Sequence, residues 1–225
     1  MILLIENSRS PTGAFQAARE IVNAVGAGNI MVVLPEGSKC EVGIDGVETL
    51  TLPMLEISRQ VSLWRYLRTL MRNSCELVKL VRDNGVSVVH VNDMYNMLGV
   101  MLKLRGINAR VVYHVRLMPD SYIAPLYPVF RFFAGRTADA IICVSDAVLA
   151  SWRHLPQARR IYDRVSLVER LPMPEPRDAG EIRFVYIANY IAGKGQDLAP
   201  VPGRSRRLPS PPHRGSVPGS LFRRS

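Results

Sequence analysis

A chain of 225 residues that is 48% hydrophobic can bury a sizeable core, which excludes an intrinsically disordered protein and leaves room for one domain or for a domain with part of a second. The formal charge of +10 points toward phosphate-bearing partners such as nucleic acid or membrane. Residues 200–225, however, hold six Arg and no acid and supply +6 of it, which leaves an ordinary balance of about +4 on the first 199 residues.

Cys40, Cys75 and Cys143 are odd in number and lack any CxxC or Cys/His spacing, so neither a disulfide framework nor a metal site is expected, and a reducing cytosol fits. The opening MILLIE has no basic segment and reaches Glu6 too early for a signal peptide. No apolar run approaches the roughly 18 to 20 residues that cross a bilayer.

In chain order, residues 2–5 read as a first strand. Residues 8–12 are a polar loop, and from Gly13 the spacing of Phe15, Ala18, Val22 and Val25 gives one apolar helical face, stopped by Gly26 and Gly28. Residues 30–34 are a second strand and residues 48–52 a weaker third. A long helix follows over about 59–84, with Val61, Trp64, Leu67, Met71, Val78 and Val81 at three- and four-residue steps, one place skipped, as its apolar face. Residues 86–91 form a fourth strand, 96–104 a helix ended by Gly106, 110–115 a fifth strand, 125–135 a helix and 140–144 a sixth strand. Ser145 is a cap for a helix to about Leu155.

Beyond residue 155 the regularity weakens. Pro172, Pro174, Pro176 and Gly180 make a stiff polar linker, and residues 183–187 start a fresh strand with helix signals after Gly195. Strands alternating with helices are the pattern of crossover units, so the expected fold is α/β, Rossmann-like, with a mainly parallel sheet. The expected organisation is a domain over 1–171, a linker over 172–182, an opening βα unit of a second domain over 183–199, and a disordered basic tail over 200–225. In that tail Pro, Gly, Ser and Arg make up 20 of 26 residues.

Ligands of an open parallel sheet gather outside the carboxyl ends of its strands. The loop 7–13 puts Gly13 at a helix N-terminus, where free amides suit an anionic or hydroxyl-rich ligand; a plain turn into a helix is the alternative. The end of the fourth strand offers His90, Asn92 and Asp93 to a sugar or nucleoside, with Asp93 alternatively a cap for the next helix. The end of the fifth offers His114 and Arg116, a hydrogen-bonding imidazole and a guanidinium suited to phosphate, with a structural histidine as the alternative. Lys194, between Gly193 and Gly195, can reach a phosphate or be an exposed turn lysine. The aromatic-rich segment with Tyr122, Tyr127, Phe130, Phe132 and Phe133, and Arg131 and Arg136, reads as core or as a membrane-surface segment.

The order of these segments carries a resemblance. A glycine-containing first loop, then "VVHVND", "VVYHVR", "ADAIICVSDAV", a linker and "RFVYIANYIAGKGQD" resembles the N-terminal half and crossover of family 4 glycosyltransferases, over about residues 1–198. The resemblance implies a GT-B architecture of two Rossmann-like lobes and transfer of a sugar, with retention, from a nucleotide-sugar donor to an acceptor. It implies no cofactor and no protein-bound metal. Gly13, Asn92, Asp93 and Arg116 would belong to the acceptor-side loops, His114 would be the catalytic residue facing the transferred sugar, and Lys194 and Gly195 would hold the donor diphosphate. Asn189 stands where the family commonly has an arginine. The family's paired glutamates are matched in spacing only by Glu48 and Glu56, which lie in the first domain and read as coincidence.

The expected function is therefore sugar transfer from a nucleotide-sugar to a glycan or lipid-linked acceptor, in polysaccharide or glycoconjugate synthesis. The expected place is the cytoplasm or the inner face of the membrane, with no role for nucleic acid. A second lobe that is scarcely begun before a GC-codon-rich tail raises the expectation of a truncated, out-of-frame product with weak or no activity, against a genuine basic tail. The alternatives are a non-catalytic acceptor-binding half domain whose tail touches membrane or nucleic acid, and another Rossmann-like nucleotide-sugar enzyme such as an epimerase.

Overall fold

Each short β-branched run in the first part of the chain becomes a strand of one parallel sheet in the computed structural model, which describes residues 1–55, 62–119 and 125–163. The elements are β1 (Ile2–Glu6), α1 (Gly13–Val25), β2 (Ile30–Pro35), β3 (Glu48–Leu52), α2 (Leu63–Asp83), β4 (Val88–Asn92), α3 (Leu98–Leu104), β5 (Arg110–Val115), α4 (Tyr127–Thr137), β6 (Ala140–Cys143), α5 (Asp146–Trp152) and β7 (Ala158–Arg160). Among the described residues the sheet has seven strands in the order β3-β2-β1-β4-β5-β6-β7, every pairing parallel.

A parallel strand in the middle of such a sheet is covered on both faces, and β2, IMVVLP, is buried at every position. Because side chains alternate along a strand, the sheet feeds two cores. On one face Leu4, Val32 and Leu34 pack with Phe15, Ala18 and Val22 of α1. On the other, Leu3, Ile5, Val89, Val91, Val111 and Tyr113 pack against α2, α3, α4 and α5. Gly99 lets α3 lie close to the sheet: a Cβ there would stand 2.8 Å from Val91 and 2.9 Å from the Tyr113 hydroxyl.

Ser145 caps a helix as expected, and two further hydroxyls do the same. Thr12, Ser62 and Ser145 accept from the amides of Phe15, Arg65 and Val148, and Gly26, at φ 87°, ends α1 in a conformation that side chains disfavour.

Two details depart from the sequence pattern. Of the stripe expected to face the core along α2, Val81 is buried and Val78 is partly buried, but Trp64, Leu67 and Met71 are exposed. The helix instead buries Tyr66, Asn73, Ser74, Leu77 and Val81, an equally helical spacing that includes polar residues. The second departure is β7, whose ARR carries no apolar periodicity and joins the sheet only through its register with β6.

The chain divides into two compact units, Met1–Glu169 and Arg170–Ser225. The linker over 172–182, the βα unit over 183–199, the tail, Val61, Tyr122, and the donor-side residues Asn189, Lys194 and Gly195 lie outside the described residues.

Candidate functional site

The strand order reverses between β1 and β4, because the chain moves outward from β1 through β2 to β3 and returns to β4 on the other side. Ligands bind at such a switch point. There, Glu6 is the register partner of Asn92, and Asn92 of His114, so three polar side chains stand in a row across the carboxyl ends of β1, β4 and β5. His90, two residues before Asn92, shares their face.

All of them are buried, with Glu6 2% and Asn92 1% exposed. A carboxylate and a guanidinium taken out of water are costly unless their hydrogen-bonding capacity is met. Asn92 meets it from the middle: its Nδ2 donates to Glu6 and, at 3.3 Å, to the Ala14 carbonyl, while its Oδ1 accepts from Arg116 Nε at 2.8 Å. The Ser8 amide donates to the other Glu6 oxygen at 2.8 Å. Arg116 spends its remaining nitrogens on Asp163 and, at 3.2 Å, on His114 Nδ1. The guanidinium thus positions His114 and is already engaged on every nitrogen, where the sequence suggested a phosphate ligand.

Burial, and then the nearby Arg116 charge, push His114 down from 6.5 to about 3 and His90 to about 4. His114 Nε2 lies 3.6 Å from Asp163, yet burial first, and then the charge of Arg116, which takes that carboxylate, favour the neutral imidazole. The two imidazoles meet edge to face at 5.4 Å, and each keeps a buried Nε2 without a hydrogen-bond partner.

The first loop closes over this row. Thr12 caps α1 and pairs with Ser8 Oγ at 3.0 Å, and Gly13 opens the helix beside the Ala14 carbonyl that Asn92 holds. A Cβ at Gly13 would meet nothing within 4 Å, so the space above it is open.

Asp93 adopts φ 87°, rare for a side-chain-bearing residue, and its amide donates to the His114 carbonyl at 3.0 Å. It does not cap α3, which begins at Leu98, the residue whose amide is taken by Asn96 Oδ1.

Beside the row, Asn96 donates to Asn7 at 2.7 Å and leads into a half-open recess under α2. Tyr66, Thr69, Asn73, Tyr95 and Arg9 line it together with Met54 and Leu70. Asn73 is buried with its Nδ2 on the Pro53 carbonyl and its Oδ1 unpartnered.

The structure therefore brings Asn92, His114 and Arg116 into contact and sets Gly13 and Asp93 next to them. Glu6, Asp163 and the recess were not anticipated. Glu6 did carry a signal, an acid closing an apolar strand, but only the register sets it beside Asn92. The recess is hidden in the sequence because α2 carries two stripes of helical spacing, and the expected one is covered at Val78 and Val81 but not at Trp64, Leu67 and Met71. Among the described residues no group of His, Cys, Asp or Glu could hold a metal ion, and no helix is long and apolar enough to cross a membrane.

Solved structures share this fold at low identity. HepE from Anabaena, in complex with UDP and glucose, matches with a TM-score of 0.55 and 15% identity, over 72% of this chain and 44% of its own. The lipopolysaccharide outer core galactosyltransferase WaaB matches with 0.58 and 9%, over 79% and 50%. Sucrose-phosphate synthase from Thermosynechococcus elongatus matches with 0.53 and 14%, over 72% and 47%. The chain thus spans half or less of the length of these proteins. No curated protein sequence matches it. The fold is that of the N-terminal Rossmann-like domain of GT-B enzymes. The family model for Glycosyltransferase Family 4 matches residues 44–167, more than half of the chain, and the protein belongs to that family.

Proposed function

We propose that residues 1–163 form the acceptor-side lobe of a glycosyltransferase that moves a sugar, with retention of configuration, from a nucleotide-sugar to a glycan or glycolipid acceptor. The observation that carries this is the buried row Glu6, Asn92, His114 at the switch point, ending in a neutral imidazole. Arg116 can only donate, so His114 Nδ1 accepts and the ring proton sits on Nε2. That N–H is a donor for a sugar hydroxyl at the reacting centre.

In this reading the C1–O bond to the diphosphate breaks, a bond from C1 to the acceptor oxygen forms, and the acceptor's hydroxyl proton is released. Lys194 and Gly195, with Asn189, hold the departing diphosphate from the second lobe. Gly13, Asn92 and Asp93 shape the acceptor side. The recess under α2 takes the acceptor's further sugars, with Tyr66 and Tyr95 as apolar walls and Asn73 Oδ1 as a waiting acceptor for a hydroxyl. The nucleotide-sugar donor is supported by the complexes of HepE with UDP and with UDP-glucose.

The test is binding and transfer together. Glycans and glycolipid headgroups titrated into the full chain, followed by saturation-transfer NMR, should give binding that His114→Ala and Asn73→Leu each weaken. Labelled nucleotide-sugars should then report transfer to the glycans that bind. Absence of any glycan binding, or binding indifferent to both substitutions, would refute the assignment. Binding without transfer would favour a non-catalytic acceptor-binding domain.

A further inference from the structure

Asp163 reaches the buried row from the edge of the sheet. Beyond β7 the Ile161 amide still donates to the Cys143 carbonyl at 3.0 Å, while Arg160 and Tyr162 both hold Asp146 at the start of α5. These contacts fix the chain on either side of Ile161 and carry Asp163 past β6 to the end of β5, where it meets Arg116 and His114.

The carboxylate divides its oxygens. Oδ2 takes Nη1 of Arg116, and Oδ1 stands 3.6 Å from Nε2 of His114. That separation lies just beyond a hydrogen bond. Because Arg116 donates to Nδ1, the neutral ring carries its proton on Nε2, so a buried N–H faces a carboxylate oxygen without bonding to it. Oδ1 likewise makes no hydrogen bond among the described residues. A donor and an acceptor thus stand side by side, each with capacity to spare, where an unmet buried donor is costly. The side chains of His114 and Arg116 are 6% and 8% exposed and that of Asp163 is 34% exposed, so Asp163 is the member of the three that a ligand meets first.

We propose that Asp163 Oδ1 and His114 Nε2 hold one hydroxyl of the sugar at the reacting centre between them, its oxygen accepting from the imidazole and its proton going to the carboxylate. Two atoms 3.6 Å apart can both reach one oxygen at ordinary lengths of about 2.7–2.9 Å. Nε2 is buried while the pair is closed, so the hydroxyl enters as the Asp163 side chain turns aside on the bond to Oδ2 that Arg116 keeps. The pair therefore selects a group that accepts and donates at once. A hydroxyl does both, whereas a fluorine or an ether oxygen leaves Oδ1 unmet, and a carboxylate or phosphate at that point is repelled by Asp163. Asp163 is in this way a specificity-determining residue that favours a neutral sugar. The inference rests on the glycosyltransferase reading only for the nature of the ligand.

The test is a fluorine scan on the full chain. Methyl glycosides of glucose, galactose and N-acetylglucosamine, and analogues with one hydroxyl at a time replaced by fluorine, are titrated and followed by ligand-observed NMR. For the sugar that binds best, one such replacement should cost about tenfold or more, the range for a hydrogen bond to a charged group. Asp163→Asn keeps an oxygen for Arg116 but offers the hydroxyl an NH2 in place of an acceptor. In that variant the penalty of the same replacement should shrink at least about threefold, with unchanged circular dichroism. A merely structural Asp163 would alter affinity for all analogues alike and leave the ratio between them unmoved. Asp163→Ala should weaken the parent sugar about tenfold.

Four outcomes would overturn the proposal: equal fluorine penalties in the native chain and Asp163→Asn, tighter sugar binding by Asp163→Ala, as when the carboxylate merely covers His114, failure of every methyl glycoside to bind, or a His114 ring proton found on Nδ1 by nitrogen-15 NMR of the ligand-free chain. The glycosyltransferase assignment is read separately, from longer glycans that depend on Asn73, so it survives each of these results.

Discussion

The guanidinium of Arg116 stands 3.2 Å from Nδ1 of His114 and settles which nitrogen of the ring carries the proton. A guanidinium has no lone pair to offer, so the neutral ring must accept at Nδ1 and present its N–H at Nε2. A strand-end histidine thereby becomes a fixed donor whose buried Nε2 has no hydrogen-bond partner and lies 3.6 Å from Asp163.

Removing that donor should cost binding and leave the fold intact. His114→Ala is expected to weaken glycan affinity about twofold to tenfold, the range for a neutral hydrogen bond of about 0.5–1.5 kcal/mol. His114→Gln, which keeps an N–H at similar reach, should recover part of the loss. Titration calorimetry on both variants checks this, and equal losses would assign His114 a packing role.

Asn92 separates a buried carboxylate from a buried guanidinium while bonding to both. Asn92→Ala leaves Glu6 and Arg116 each short of a partner and should destabilise the domain by about 2–4 kcal/mol in urea unfolding. Asn92→Asp places a second carboxylate against Glu6 and is expected to be worse at neutral pH than at pH 5. A cost near zero for Asn92→Ala would mean that water replaces the amide.

The histidine pair sets a pH dependence with a definite sign. Both imidazoles have folded pKa values below the ordinary 6.5, at about 4 for His90 and about 3 for His114. Between those values and 6.5 the unfolded chain binds protons that the native state refuses. The stability they contribute is therefore complete above pH 6.5 and is lost as pH falls toward 4. For His90 the loss is up to about 3 kcal/mol. His90→Leu should flatten the profile of melting temperature between pH 6.5 and 4, and an unchanged slope would place the sensitivity elsewhere.

Gly13 separates stability from function. It carries no left-handed φ and a Cβ would meet no atom within 4 Å, so the protein itself does not require glycine there. Gly13→Ala should leave the melting temperature unchanged or raise it slightly, because alanine loses less chain entropy in a helix. If the open space receives a ligand, Gly13→Val should reduce glycan binding several-fold without unfolding. Loss of stability in either variant would contradict the geometry.

The strands at 2–6, 30–35, 48–52 and 110–115, and the cap at Ser145, were legible because each depends on a few neighbouring residues: β-branched runs bounded by glycine, or a hydroxyl before a helical stretch. The α/β class and the family pattern rest on the order of such local signals. Position was legible too where a strand end names it, as at Asn92, His114 and Arg116.

Partnership was decided by tertiary structure alone. Two stripes of α2 have helical spacing, and only packing on the sheet chose the one with Tyr66, Asn73 and Leu77 and left Trp64, Leu67 and Met71 outside. In α4 the fold buried Phe130 and exposed Phe132 and Phe133, although all three are phenylalanines. Glu6 and Asn92 are 86 residues apart and meet because β1 and β4 are neighbours in register. Periodicity fixes which residues share a face, but which face is covered depends on the neighbours that three-dimensional packing supplies.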